Sequence, residues 1–191
     1  MISSRIPRWV RAIFVANLVA QSAIIVTGAV VRLTGSGLGC PTWPQCVEGS
    51  YTPTARQEEV FHKYIEFGNR LLTFVLVIIA IAVLVAVFIN VRSRRRAGIA
   101  QRPAIIVLSV VPFVGTAVQA VLGGVTVLTG LHPLIVSAHF LLSMVLVTAA
   151  VALVARSGDP GDQPVIRLAP TPVRFLTWLM VSVAALVVVL G

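Results

Sequence analysis

Residues 61–96 read FHKYIEFGNRLLTFVLVIIAIAVLVAVFINVRSRRR. Its middle, residues 71–89, carries no charged side chain. A helix rises 1.5 Å per residue, so roughly 20 apolar residues cross a hydrocarbon core of about 30 Å. This run is long enough. Its flanks differ in kind. Before it, one decapeptide holds a histidine, a lysine, a glutamate, an asparagine and an arginine; after it come Arg92, Arg94, Arg95 and Arg96.

The rest of the chain repeats the apolar signal. Hydrophobic residues make up 58% of the 191 and charged residues only 11%, with a mean hydropathy of +0.98. Soluble domains are nearer a quarter charged. Four runs are long enough to span, at about 11–33, 70–91, 104–129 and 134–155, and a shorter fifth occupies about 174–190. The first is too long for the apolar region of a secretory leader and lacks a small-residue cleavage site, so it reads as retained. The expected architecture is an all-α membrane protein. A four-helix transmembrane bundle occupies residues 1–155, a loop 156–173, and the start of a fifth helix 174–191, in a chain cut inside that helix.

The formal net charge of +9 raises nucleic acid as a partner, but position argues against it. Arg5, Arg8 and Arg11 precede the first span, Arg92, Arg94, Arg95, Arg96 and Arg102 separate the second and third, and Arg156, Arg167 and Arg174 separate the fourth and fifth. All eleven fall on one face, which the positive-inside rule makes cytoplasmic. The expected location is the cytoplasmic membrane, multi-pass, with the N-terminus inside, loops 34–61 and 130–133 outside, membrane lipid as solvent and no nucleic acid.

Two stretches resemble each other: GAVVRLTG at 28–35 and GGVTVLTG at 123–130 share Gly28/Gly123, Val30/Val125, Leu33/Leu128, Thr34/Thr129 and Gly35/Gly130. Both close an outward-running span, as a parallel repeat about the membrane normal requires. After each, the chain re-enters with histidines near the outer end. His62 and Asn69 are as far apart as His132 and His139, about two helical turns.

The chemistry concentrates there. His62, Glu66 and Asn69 lie on one helix face, with Arg70 one turn from Glu66. Their bland reading is a solvated interfacial histidine and an ordinary ion pair; the sharper one is a carboxylate that moves protons or orients a ligand. His139 lies roughly 9 Å into its helix. Ionisable groups at that depth usually face the protein interior, either bonded to a neighbouring helix or as an axial ligand to haem iron. Cys40 and Cys46, in GLGCPTWPQC, sit on the oxidising side as a loop staple or as a redox pair. Two thiols and no neighbouring histidine argue against zinc.

Taken together, GAVVRLTGSGLGCPTWPQC, IEFGNRLLTF and LGGVTVLTGLHPLIVSAHFLLSM resemble the haem A synthase family of membrane enzymes. The resemblance implies an eight-helix pseudo-repeat of which this chain is the N-terminal half, with haem O as substrate in this half and a haem b cofactor in the other. It implies oxidation of a haem O methyl group to formyl, haem O synthase and an electron donor as partners, and a Cys40–Cys46 disulfide. Glu66 and Arg70 fall on the glutamate and arginine of the family's E-x-x-H-R motif, and His139 on its fourth-helix histidine. Asn69 stands where the motif has histidine. His62, on the same face, is therefore the expected iron ligand opposite His139, with His132 as the other partner at matching depth. Glu66 is expected as the catalytic or orienting carboxylate, and Arg70 and Arg32 as cations for haem propionates. Two rival readings are a non-catalytic haem-binding or oxidase-assembly module and a quinone-linked disulfide oxidoreductase. The second lacks the dithiol relay it would need. The oligomeric state stays open, a homo-oligomer included.

Overall fold

The computed structural model describes residues 5–54, 61–159, 161 and 169–190; Arg167 lies outside them. The elements are α1 (Arg8–Leu33), α2 (His62–Arg96), α3 (Pro103–Leu128), α4 (Pro133–Gly158) and α5 (Thr171–Leu190). All five are long and apolar enough to cross a membrane. The apolar windows underestimate the helices. α2 runs 35 residues because the polar decapeptide and the arginine run at its two ends are also helical. Prolines open α3 and α4, where a fixed φ suits the first turn and the missing N–H would have had no partner.

α1 packs against α2 and α4, and α3 against the same two, so α1 faces α3 and α2 faces α4 across the diagonals of a four-helix ring. α5 packs chiefly on α4. Ser137 donates its hydroxyl to the Val188 carbonyl there, at 3.0 Å, and no residue of α5 is buried. Large apolar side chains point outward throughout: Val26, Ile78, Val107 and Leu190 are each more than 60% exposed. Such a surface is unusual in water and ordinary in lipid, where the backbone is satisfied inside each helix and side chains meet acyl chains. The chain is a multi-pass membrane protein.

The packed apolar core lies toward the arginine-rich end: Ile6, Val10, Phe14, Val83, Ala86, Val87, Ile105 and Leu153. Two arginines of that end turn inward. Arg102 donates to the carbonyls of Arg156, Asp159 and Gly161, and Arg94 donates to the Ala100 carbonyl. Both thereby satisfy carbonyls at or beyond a helix C-terminus, where cations are favoured.

The repeat is visible bond for bond at the other end. Thr34 N–H bonds the Val30 carbonyl, Gly35 N–H that of Arg32 and Ser36 N–H that of Val31. Thr129, Gly130 and Leu131 repeat the pattern onto Val125, Val127 and Thr126. Gly35 and Gly130 sit at φ +66° and +61°, conformations that glycine adopts at no steric cost. Each threonine hydroxyl also bonds back one turn, to Val30 and to Val125, both at 2.7 Å.

Close approach between α3 and α4 depends on Gly115, where a Cβ would overlap the buried Leu146 side chain. A Cβ on Gly68 in α2 would meet nothing within 4 Å. Gly115→Val is expected to cost about 1–3 kcal/mol through overpacking. Gly68→Ala should be neutral or stabilising by up to about 1 kcal/mol through helix propensity. Thermal unfolding of both variants in detergent checks the contrast.

Candidate functional site

Of the polar residues singled out from sequence, most gather at the end of the bundle opposite the arginine-rich one, in three groups. The first centres on Arg70. Its Nε and Nη2 donate to Glu66 Oε1 at 3.1 and 2.6 Å. Nη1 donates to the carbonyls of Thr42 and Gln45 at 3.0 and 3.2 Å, and Nη2 also to that of Cys40 at 2.6 Å. All five guanidinium N–H bonds are thereby used. Glu66 Oε2 accepts the Cys40 N–H at 2.8 Å. Glu66 and Arg70 therefore hold the loop carrying Cys40 and Cys46, which are joined in a disulfide and fully buried. Arg70 has no N–H left for the propionate expected of it, and both oxygens of Glu66 are engaged.

The loop packs inward. A Cβ on Gly124 of α3 would lie 2.5 Å from Trp43 Cδ2, and one on Gly39 would lie 2.7 Å from the backbone of His62. Glycine at both positions lets an indole and a helix start approach bare backbone. Lys63 is buried beside them and donates to the Thr54 carbonyl at 2.7 Å.

The second group is His62. Its Nδ1 lies 2.8 Å from Ser36 Oγ, which is 2.6 Å from Thr34 Oγ1. His62 is thus tied to the cap of α1, at the first residue of α2. His132 is the N-cap of α4: its carbonyl accepts from Ile135 and Val136, and the residue is exposed.

The third group surrounds His139, two turns into α4. Its ring lies over Gly123, where a Cβ would stand 3.3 Å from Cε1. Its Nδ1 is buried without a hydrogen-bond partner. Gln119, one turn from Gly123 on α3, donates to the His139 carbonyl at 3.0 Å and to Ser143 Oγ at 2.5 Å. Its Oε1 is also buried and unpartnered. On α2 and α1, Thr27 donates its hydroxyl to Asn69 Oδ1 at 2.7 Å. Further toward the arginine end, Gln21 bridges α1 to Thr116 of α3 at 3.3 Å. Asn17 is 0% exposed with neither amide atom bonded.

The structure thus unites Glu66, Arg70, Cys40 and Cys46, while His62 and His139 have separate neighbours. No cluster of three or more His, Cys, Asp or Glu side chains able to hold a bare metal ion occurs among the described residues. Arg32 is exposed on the last turn of α1. Gln119, Trp43 and Gly124 escaped the sequence reading as site residues, and Gly123 was read only as part of the repeat. The signal for Gln119, like that for Gln21 and Asn17, was an amide inside an otherwise apolar span.

A model of the family described as cytochrome oxidase assembly protein, COX15-CtaA, matches residues 11–191. A heme A synthase of Geobacillus kaustophilus is 33% identical over 139 residues, covering 72% of this chain and 40% of that protein. One of Listeria welshimeri is 28% identical over 140 residues, covering 73% of this chain and 42% of its own length. One of Geobacillus thermodenitrificans is 38% identical over 60 residues, covering 31% and 17%. The chain spans less than half the length of these relatives. No solved structure gives a significant match.

Removing Arg70 leaves the buried Glu66 carboxylate and three loop carbonyls without their donor, so Arg70→Gln should open the loop locally. Reduction of the Cys40–Cys46 disulfide by a water-soluble phosphine, followed by thiol labelling, is expected to run at least about tenfold faster than in the native chain. Arg70→Lys should fail to restore protection, because an ammonium lacks the planar five-donor fork. Native-like reduction rates in both variants would remove the clamp.

Proposed function

We propose, from the premise that the chain belongs to the COX15-CtaA family of cytochrome oxidase assembly proteins, that it binds haem in the loop-side half of its bundle and serves haem A biosynthesis. The observation that carries the reading is the His139 ring, held over Gly123 with Nδ1 buried and unpartnered. A buried nitrogen without a partner costs about 1–3 kcal/mol. Coordination to haem iron is one use for an imidazole held at this depth in an apolar helix.

In this reading His139 holds the iron, and Gln119 and Ser143 fix its position through the α4 backbone. Arg32, exposed at the end of α1, is the cation available to a propionate. Glu66 and Arg70 act as positioning residues that keep the disulfide loop, with Trp43, over the bundle. His62 and His132 remain second-ligand candidates at the level of the helix starts. The bound tetrapyrrole would supply iron-centred redox chemistry. The protein supplies position, a water-poor interior and the orientation of the group to be oxidised.

The reaction proposed is oxidation of the haem O methyl group to the formyl group of haem A, with haem O synthase as the source of substrate and a separate electron donor. On the same reading a haem b site belongs to the family's other four-helix half. Orientation follows the charge rule, with the arginine-rich end in the cytoplasm and the disulfide loop on the outer side of the cytoplasmic membrane. One observation favours the second reading, a non-catalytic haem-binding module: neither oxygen of Glu66 is free to move a proton.

Haem extraction and chromatography separate the two. In a host that makes haem O and no haem A, the catalytic reading predicts haem A or its hydroxylated precursor in membranes carrying this chain. Haem O co-purifying without either product selects the binding module.

A further inference from the structure

The reading that haem binds at His139 leads to a question about the second axial position, and the internal repeat answers it. α1 and α3 end in the same cap, hydrogen bond for hydrogen bond. Counted back from those caps, Gly28 corresponds to Gly123. Counted in from the starts of α4 and α2, His139 and Asn69 both lie about two turns deep. Their surroundings correspond as well. His139 lies against Gly123, and Asn69 is bonded to Thr27, the residue beside Gly28. α2 and α4 are diagonal partners in the ring, so Asn69 is the counterpart of His139 on the facing helix.

We propose that this chain offers haem iron a single histidine, His139, and leaves the second axial position open on the Asn69 side. Three observations support the assignment. Asn69 carries an amide, which is outside the usual haem ligand set, and its Oδ1 already accepts the Thr27 hydroxyl. Gly28 is open: a Cβ there would meet nothing within 4 Å, whereas its counterpart Gly123 is covered by the imidazole of His139. Gly28 thus borders open space, a notch that the residue at 69 does not fill.

His62 is held elsewhere. It lies about two turns, or ~10 Å, further out along α2 than Asn69. Its Nδ1 is bonded to the buried Ser36, and its backbone is pinned under Gly39. His132 caps α4 at that same outer level. Among the three histidines of the chain, only His139 stands at the depth of Asn69.

An iron with one histidine and an open face is five-coordinate and high-spin, and it accepts a small exogenous ligand. The test is absorption and resonance Raman spectroscopy of the full chain purified with haem, with carbon monoxide as probe. The native chain is expected to give a high-spin spectrum and to bind one carbon monoxide per ferrous haem. Asn69→His should place an imidazole in the Gly28 notch, convert the spectrum to six-coordinate low-spin and weaken carbon monoxide binding at least about tenfold. His62→Gln, which keeps a hydrogen-bonding side chain for Ser36, should leave the native spectrum unchanged.

A native low-spin spectrum that turns high-spin in His62→Gln or His132→Ala would overturn the inference while leaving haem binding intact. A native chain that purifies without haem would overturn the reading beneath it.

Discussion

The Arg70 guanidinium organises the loop end of the molecule. An irregular loop at a membrane boundary must satisfy its backbone without the regular ladder of a helix. The segment CPTWPQC makes this harder, since Pro41 and Pro44 bring carbonyls and no N–H. Arg70 supplies the missing donors to Cys40, Thr42 and Gln45, and Glu66 neutralises the charge while accepting the Cys40 N–H. With that backbone fixed, Trp43 rests on Gly124 and Gly39 on the start of α2, and Gly37 meets Leu131 of the second repeat unit. The disulfide closes a loop that these bonds already shape.

Inside that lid the bundle changes character along its length. At the arginine-rich end it is packed with Val10, Phe14, Val83 and Leu153. Toward the loop it becomes polar, with Gln21, Thr116, Gln119 and His139. In hydrocarbon, polar side chains are retained where they pair with one another or serve a site. Gln21 with Thr116 is such a pair. Asn17, Gln119 Oε1 and His139 Nδ1 keep unpaired polar atoms. The two repeat units are alike in backbone and unlike in chemistry, with imidazole over one glycine and an amide beside the other.

The fold was legible because hydropathy and arginine placement are large, additive signals. Each span emerged from its composition, and only the helix ends were short, because polar residues such as His62 and Arg96 continue the helix past the apolar window. The repeat was legible in five matched pairs, one of which, Gly35 and Gly130, is needed for its positive φ. The partners of Glu66 and Arg70 were not legible. An i, i+4 ion pair looks the same on a helix whether it faces a ligand or a loop, and the bonds to Cys40, Thr42 and Gln45 join residues 25 to 30 positions apart. The role of Gln119 was hidden for a similar reason: its target is a carbonyl, which no sequence pattern displays.

The most direct test of the account is the haem content of the purified chain, native against His139→Ala, with His62→Ala alongside. If the bundle receives haem through His139, the native chain retains it, His139→Ala loses most of it, and His62→Ala keeps it. Equal haem in the native chain and His139→Ala would contradict the account at its centre.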